Sequence, residues 1–174
     1  FQEFVGLAPG NYELTLIVRD LESARTSTSA ADLTLPRYSE GYLSSPVPVH
    51  EATPRFTLDS LPELIASPRA SAVFGRDSTI AVYLEAYGGE GEVPIEVRIR
   101  GERGAVLFGD TLTLAPTGAL FSGTLDLPVS RLGIGATSLA VTRTDTRDSS
   151  ITPLIIGFGD DLPLVSFDDM LEYL

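Results

Sequence analysis

The sequence predicts an all-β protein built of sheet packed on sheet, and three observations carry that prediction. Apolar residues recur with a period of two along run after run, the mark of strands with one buried face. Turn residues separate these runs at spacings of about ten residues, as in β-sandwiches. In addition, "LAPGNYELTLIVRD", Leu7 to Asp20, returns 125 positions later as "LGIGATSLAVTRTD", Leu132 to Asp145. Leu7, Gly10, Leu14, Leu16 and Asp20 are matched in kind by Leu132, Gly135, Leu139, Val141 and Asp145.

The first copy opens the chain. Tyr12, Leu14, Leu16 and Val18 fall on one face of a strand delivered by the Pro9-Gly10 turn, and Asn11, Glu13, Thr15 and Arg19 fall between them. Residues 1–35 offer only "FQEFVGL", "NYELTLIVRD" and "STSAADLTL". Two or three strands without a covering sheet are marginal in water, so this region reads as the C-terminal strands of a first sandwich.

Residues 36–70 hold six of the 12 prolines, at 36, 46, 48, 54, 62 and 68. Such a segment is extended or turning. Tyr38, Tyr42, Leu43, Val47, Val49, Phe56, Leu58, Leu61, Leu64 and Ile65 make it too apolar for a solvated tether. It reads as a packed linker, with a short helical turn at "LDSLPELI".

Residues 71–158 read as a second, complete sandwich of about seven strands. Ile80, Val82, Leu84 and Ala86 alternate with Thr79, Tyr83 and Glu85; Ile95, Val97 and Ile99 alternate with Glu96, Arg98 and Arg100. "GGEGE" reads as a hairpin tip, and "RGERG" separates the next runs. "AVLFG", "TLTL", "LFSGTLDL", "TSLAVTR" and "ITPLIIGF" complete the set. Residues 159–174, "GDDLPLVSFDDMLEYL", form an acidic linker. Ser166 and Asp169 suit a capping box, and Phe167, Met170, Leu171 and Leu174 share one face of the amphipathic helix that would start there. The fold class is therefore all-β: tandem immunoglobulin-like β-sandwiches, the first only partly present, with a short C-terminal helix start.

Composition narrows the chemistry. The 174 residues carry 24 acidic against 12 basic side chains, a net charge of −12, which repels a nucleic-acid backbone. Every basic residue is Arg, the bias of a GC-rich bacterial genome, and Cys is absent. Schiff-base lysines, the phosphate-loop lysine, thiolate nucleophiles and Cys-ligated metals are thereby excluded. No apolar run approaches the roughly 18 residues of a membrane helix, so no transmembrane segment is expected. Phe1 is not an initiator residue, and the numbering is expected to start inside something larger.

Three stretches, "FQEFVGLAPGNYELTLIVRD", "SAVFGRDSTIAVYLEAY" and "VSFDDMLEYL", together resemble the bacterial GWxTD-domain-containing proteins. In that family β-sandwich modules, one with a Pro-Gly-x-Tyr strand, precede a helical region that carries the Gly-Trp-x-Thr-Asp motif, and many members are exported. The present chain has no Trp, so the resemblance places it upstream of that motif. It implies a bacterial, extracytoplasmic protein, periplasmic or at the cell surface.

The single His, His50, sits in "SPVPVHEATP" near Ser44, Ser45 and Glu51, without the elbow and oxyanion glycines of a hydrolase. It reads as a surface or interface residue. The carboxylate pairs Glu90 with Glu92, Asp145 with Asp148, Asp160 with Asp161, and Asp168 with Asp169 fall in turns or at a helix start, where acids serve solvation and the helix dipole. Asp20 and Asp145 read as residues that end their strands by bonding turn backbone.

The expectation is a non-enzymatic structural or interaction module without a cofactor or metal. It would be an accessory or scaffolding subunit docking on a protein complex, with a membrane respiratory or photosynthetic assembly as one version. Tyr38, Tyr42, Phe158, Phe167, Met170, Leu171 and Leu174 are its candidate interface residues. The alternative is a carbohydrate- or calcium-dependent surface-binding module, for which Tyr83 and Tyr87 would have to stand exposed on one strand face.

Overall fold

The computed structural model describes residues 5–67 and 70–158. The acidic segment 159–174, with the expected helix start and Phe167, Met170, Leu171 and Leu174, lies outside the described residues. The chain divides into two units, Phe1–Tyr38 and Ser39–Leu174.

In the first unit β1 (Gly10–Arg19) pairs antiparallel with β2 (Thr26–Leu35), from Gly10 opposite Leu35 to Arg19 opposite Thr26. Strand alternation sorts the side chains. Tyr12, Leu14, Leu16 and Val18 stand opposite Leu33, Ala31, Ser29 and Ser27 on one face, whereas Asn11, Glu13 and Thr15 stand opposite Thr34, Asp32 and Ala30 on the other. The hairpin turn is closed by Asp20, whose carboxylate accepts the Glu22 N–H at 2.9 Å and the Ser23 hydroxyl. The Ser23 bond first, and the backbone bonds second, hold that carboxyl below the usual carboxylate range. Val5–Leu7, part of a stretch read as a strand, belong to none.

The second unit is a sandwich of two five-stranded sheets. Its strands are β3 (Val47–Thr53), β4 (Glu63–Ala66), β5 (Ser71–Phe74), β6 (Thr79–Ala86), β7 (Val93–Gly101), β8 (Val106–Leu114), β9 (Pro116–Thr117), β10 (Leu120–Pro128), β11 (Gly135–Arg143) and β12 (Ser149–Phe158). One sheet runs β4-β3-β6-β10-β9 and the other β5-β12-β11-β7-β8. Every pairing is antiparallel except β5 with β12. A 3-10 turn, Val129–Arg131, is the only helical element among the described residues. Val82 and Leu84 of the first sheet meet Ile95, Val97, Ile99, Leu139, Val141, Leu154 and Ile156 of the second in one buried core.

Four details differ from the sequence reading. The second unit starts at Ser39 rather than 71, because the proline-rich segment contributes β3 and β4 to a sheet. Pro48 is tolerated within β3 because its backbone faces away from Val82 of β6: its carbonyl accepts the Ser67 N–H at 2.8 Å, so the missing N–H falls on the side where the pairing with β4 ends, at Val49. The stretch "LDSLPELI" supplies a turn around Thr57–Ser60 and then β4, rather than a helical turn. The "GGEGE" loop joins β6 of one sheet to β7 of the other, so it is an intersheet crossing and not a hairpin tip; "RGERG" is the hairpin between β7 and β8. The span 71–158 holds eight strands, the addition to the expected seven being the two-residue β9.

Candidate functional site: a strap on the outer face of the first sheet

Core alternation along β6 sends Val82 and Leu84 inward, so Tyr83 and Glu85 point to the outer face of the sheet, followed by Tyr87. The sequence reading left that face to solvent. All three residues are buried, because the chain leaving β3 crosses back over them. This overturns the exposed tyrosine platform that a carbohydrate-binding surface on Tyr83 and Tyr87 would need.

Arg55 pins the crossing segment. Its Nε donates to Glu85 Oε1 at 2.9 Å and its Nη2 to Glu85 Oε2 at 2.8 Å. Nη2 also reaches the Tyr87 hydroxyl at 3.2 Å, and Nη1 donates to the carbonyls of Leu58 at 3.1 Å and Ser60 at 2.9 Å. These five bonds engage all five guanidinium donors. Glu85 completes the network by accepting the Tyr83 and Tyr87 hydroxyls, each at 2.8 Å. Burial first, and the bonds to the Glu85 carboxylate second, raise both phenols well above their ordinary pKa. Burial opposes the Arg55 charge, but the bonds to Glu85 outweigh it and the guanidinium pKa rises.

The strap has further anchors. Ala119 N–H donates to the Phe56 carbonyl at 3.0 Å, and the Ser60 hydroxyl donates to the Thr57 carbonyl at 3.0 Å. Gly118 has φ +70°, and a Cβ there would run into the Phe56 carbonyl oxygen, so only glycine lets the strap lie this close. Ser44 holds the neighbouring segment, its Oγ accepting the Glu85 N–H at 2.9 Å. What the strap turns outward is apolar: Phe56, Leu58 and Leu61 are 66%, 56% and 57% exposed.

Another guanidinium, the buried Arg143 on β11, closes one end of the sandwich. It forks onto Asp145 at 2.8 and 2.9 Å and donates to the Tyr87 carbonyl at 2.8 Å. The Arg143 bond first, and its charge, hold the Asp145 carboxyl below the usual range. Asp145 also accepts the Thr146 N–H at 2.8 Å, and Asp148 accepts the Leu43 N–H at 2.7 Å. Both members of that carboxylate pair are spent on the framework.

His50 is exposed at the bulge between Val49 and Glu51 of β3. It lines an open polar cleft of about 750 Å³ with Ser67, Arg76, Asp77 and Asp126. Asp77 is held below the usual carboxylate range by the Val73 N–H first and by Arg76 second. Ser44, which the sequence placed near His50, spends its hydroxyl on strand backbone instead. Among the described residues no three His, Asp or Glu side chains gather as metal ligands.

Of the expected interface residues, Tyr42 and Phe158 are exposed but belong to different parts of the second unit. Tyr42 precedes β3, its carbonyl accepting the Tyr87 N–H at 3.0 Å just past β6, and Phe158 ends β12 opposite Phe74. Tyr38, also exposed, belongs to the first unit. Sequence reasoning missed the Arg55 network. Its signal was the triplet of polar-tipped residues Tyr83, Glu85 and Tyr87 on one strand face, together with an Arg between proline and phenylalanine. The chain matches no family model and no curated protein.

Proposed function

We propose that this chain is a structural and interaction module of tandem immunoglobulin-like sandwiches, part of a bacterial extracytoplasmic scaffolding or accessory protein that docks on a protein complex through the strap Arg55–Leu61. The observation that carries the docking role is the way the strap is held. Burying an ion pair costs several kcal/mol of desolvation per ion, which is offset only when the partners are fully bonded. Here that network fixes a loop whose Phe56, Leu58 and Leu61 face solvent. A rigid apolar cluster of this kind is what protein interfaces bury at their centre.

The immunoglobulin-like assignment is supported by topology. β3 pairs antiparallel with β6 in one sheet, with β4 outside it, and β5 pairs parallel with the last strand, β12, at the edge of the other; β11 lies between β12 and β7. The GWxTD resemblance supports the extracytoplasmic placement, and a membrane respiratory or photosynthetic complex fits as host.

The test is co-purification from the source organism of the full-length protein carrying Phe56→Asp and Leu58→Asp. Loss of its stable complex with an unchanged melting temperature is the expected result. Retention of the complex would remove the strap from the interface.

A further inference from the structure

We propose that the apolar face of β1–β2 is one half of a buried core, covered in the full-length polypeptide by an antiparallel, aliphatic-faced sheet that precedes this hairpin in the chain. The inference is independent of docking through the strap. It rests on the internal repeat, which extends beyond sequence to strand pairing. Gly10 stands opposite Leu35 as Gly135 stands opposite Ile156; Tyr12 opposite Leu33 as Thr137 opposite Leu154; Leu14 opposite Ala31 as Leu139 opposite Thr152; Leu16 opposite Ser29 as Val141 opposite Ser150. Apart from Tyr12 against Thr137, both strands of the two hairpins carry large and small side chains in corresponding places.

The surroundings differ completely. Leu139 and Val141 are 0% exposed beneath the other sheet, whereas Leu14 and Leu16 are 59% and 56% exposed. The Tyr12 hydroxyl donates to the Ala8 carbonyl at 2.6 Å, four residues upstream. That closure marks the corner where the chain enters the penultimate strand of Greek-key sandwiches. An alternation with Ile17 as its one exception on β1, ending in a corner of this type, specifies a covering sheet.

The strands of the second unit cannot supply that sheet. The core faces of β6 and β10 are already filled by β7, β11 and β12, so neither this copy's second unit nor a second copy's has a free face to offer. In the second unit the covering strands β6 and β10 come before β11 in the chain. The same order places the missing layer on the N-terminal side of β1.

Two measurements test this. Hydrogen exchange on the 174-residue chain should show β1 and β2 amides exchanging roughly 100-fold or more faster than those of β11 and β12, and the full-length polypeptide should show them protected to a similar degree. A photo-crosslinker replacing Leu16 in the full-length polypeptide should then capture a segment N-terminal to Phe1 of the same molecule. Strong protection of β1 and β2 in the 174-residue chain alone, no gain of protection at full length, or capture of a different polypeptide would each overturn the proposal. Docking through the strap is read separately by co-purification, so either conclusion can fail without the other.

Discussion

Replacing Glu85 with Ala removes the acceptor of four bonds, two from Arg55 and one each from the Tyr83 and Tyr87 hydroxyls. Glu85 is buried and Arg55 partly so, their side chains retaining 5% and 14% exposure. Removing one member of a fully buried pair costs about 3–5 kcal/mol, because the other is left charged without a partner, and the partial exposure of Arg55 sets the low end as the ceiling here. The strap can swing Arg55 out to water, which relieves that charge, but the two phenols under it then lose their acceptor at about 1 kcal/mol each. The expected loss is therefore about 3 kcal/mol, with Arg55→Ala of similar size. The double variant should fall short of the sum by about 2 kcal/mol, since the partners share one network. Urea unfolding followed by circular dichroism measures this directly, because the isolated hairpin is marginal and the cooperative transition belongs to the sandwich. Losses below about 1 kcal/mol for both single variants, with no coupling, would show that the pair does not pin the strap.

Other outcomes follow from the same structure. Leu139→Ala should cost about 2–5 kcal/mol, whereas Leu14→Ala, at the matching place in the repeat, should leave the sandwich transition of the 174-residue chain within about 0.5 kcal/mol, both read by urea unfolding. Tyr83 and Tyr87 have folded pKa values raised above the unfolded value near 10, so their contribution is fully present below about pH 10 and is lost as pH climbs above it. Tyrosinate absorbance should accordingly show two of the six tyrosines ionising only as the sandwich unfolds in alkali. Gly118→Ala should lift the strap by driving a Cβ against the Phe56 carbonyl, and limited proteolysis should then cleave near Phe56–Leu61, which the parent resists.

Strand content was legible because period-two alternation reports burial of a single face. Ile80, Val82, Leu84, Ile95, Val97 and Ile99 were placed correctly by that signal alone. The same rule failed for Tyr83 and Glu85, since alternation tells which face a side chain takes but not whether another segment returns to cover it. β3 and β4 were hidden for a related reason. Proline density argues against a strand, yet Pro48 sits where its absent N–H is not needed. "GGEGE" looked like a hairpin because glycine-rich turns serve either purpose, and only strand order reveals that β6 and β7 belong to different sheets. The repeat, by contrast, held down to the pairing register, because Gly, large and small residues occupy matching places on both strands except where Tyr12 stands for Thr137. The Arg55 network was least visible, as it joins residues 30 positions apart through side chains alone.

Docking through the strap is tested most directly by a photo-crosslinker replacing Leu58 in the full-length protein within its own cells, with Arg98, exposed on the other sheet, as the control position. Capture of one defined polypeptide from position 58 and none from position 98 is the result this account predicts. Equal capture from both positions, or none from position 58, would contradict it.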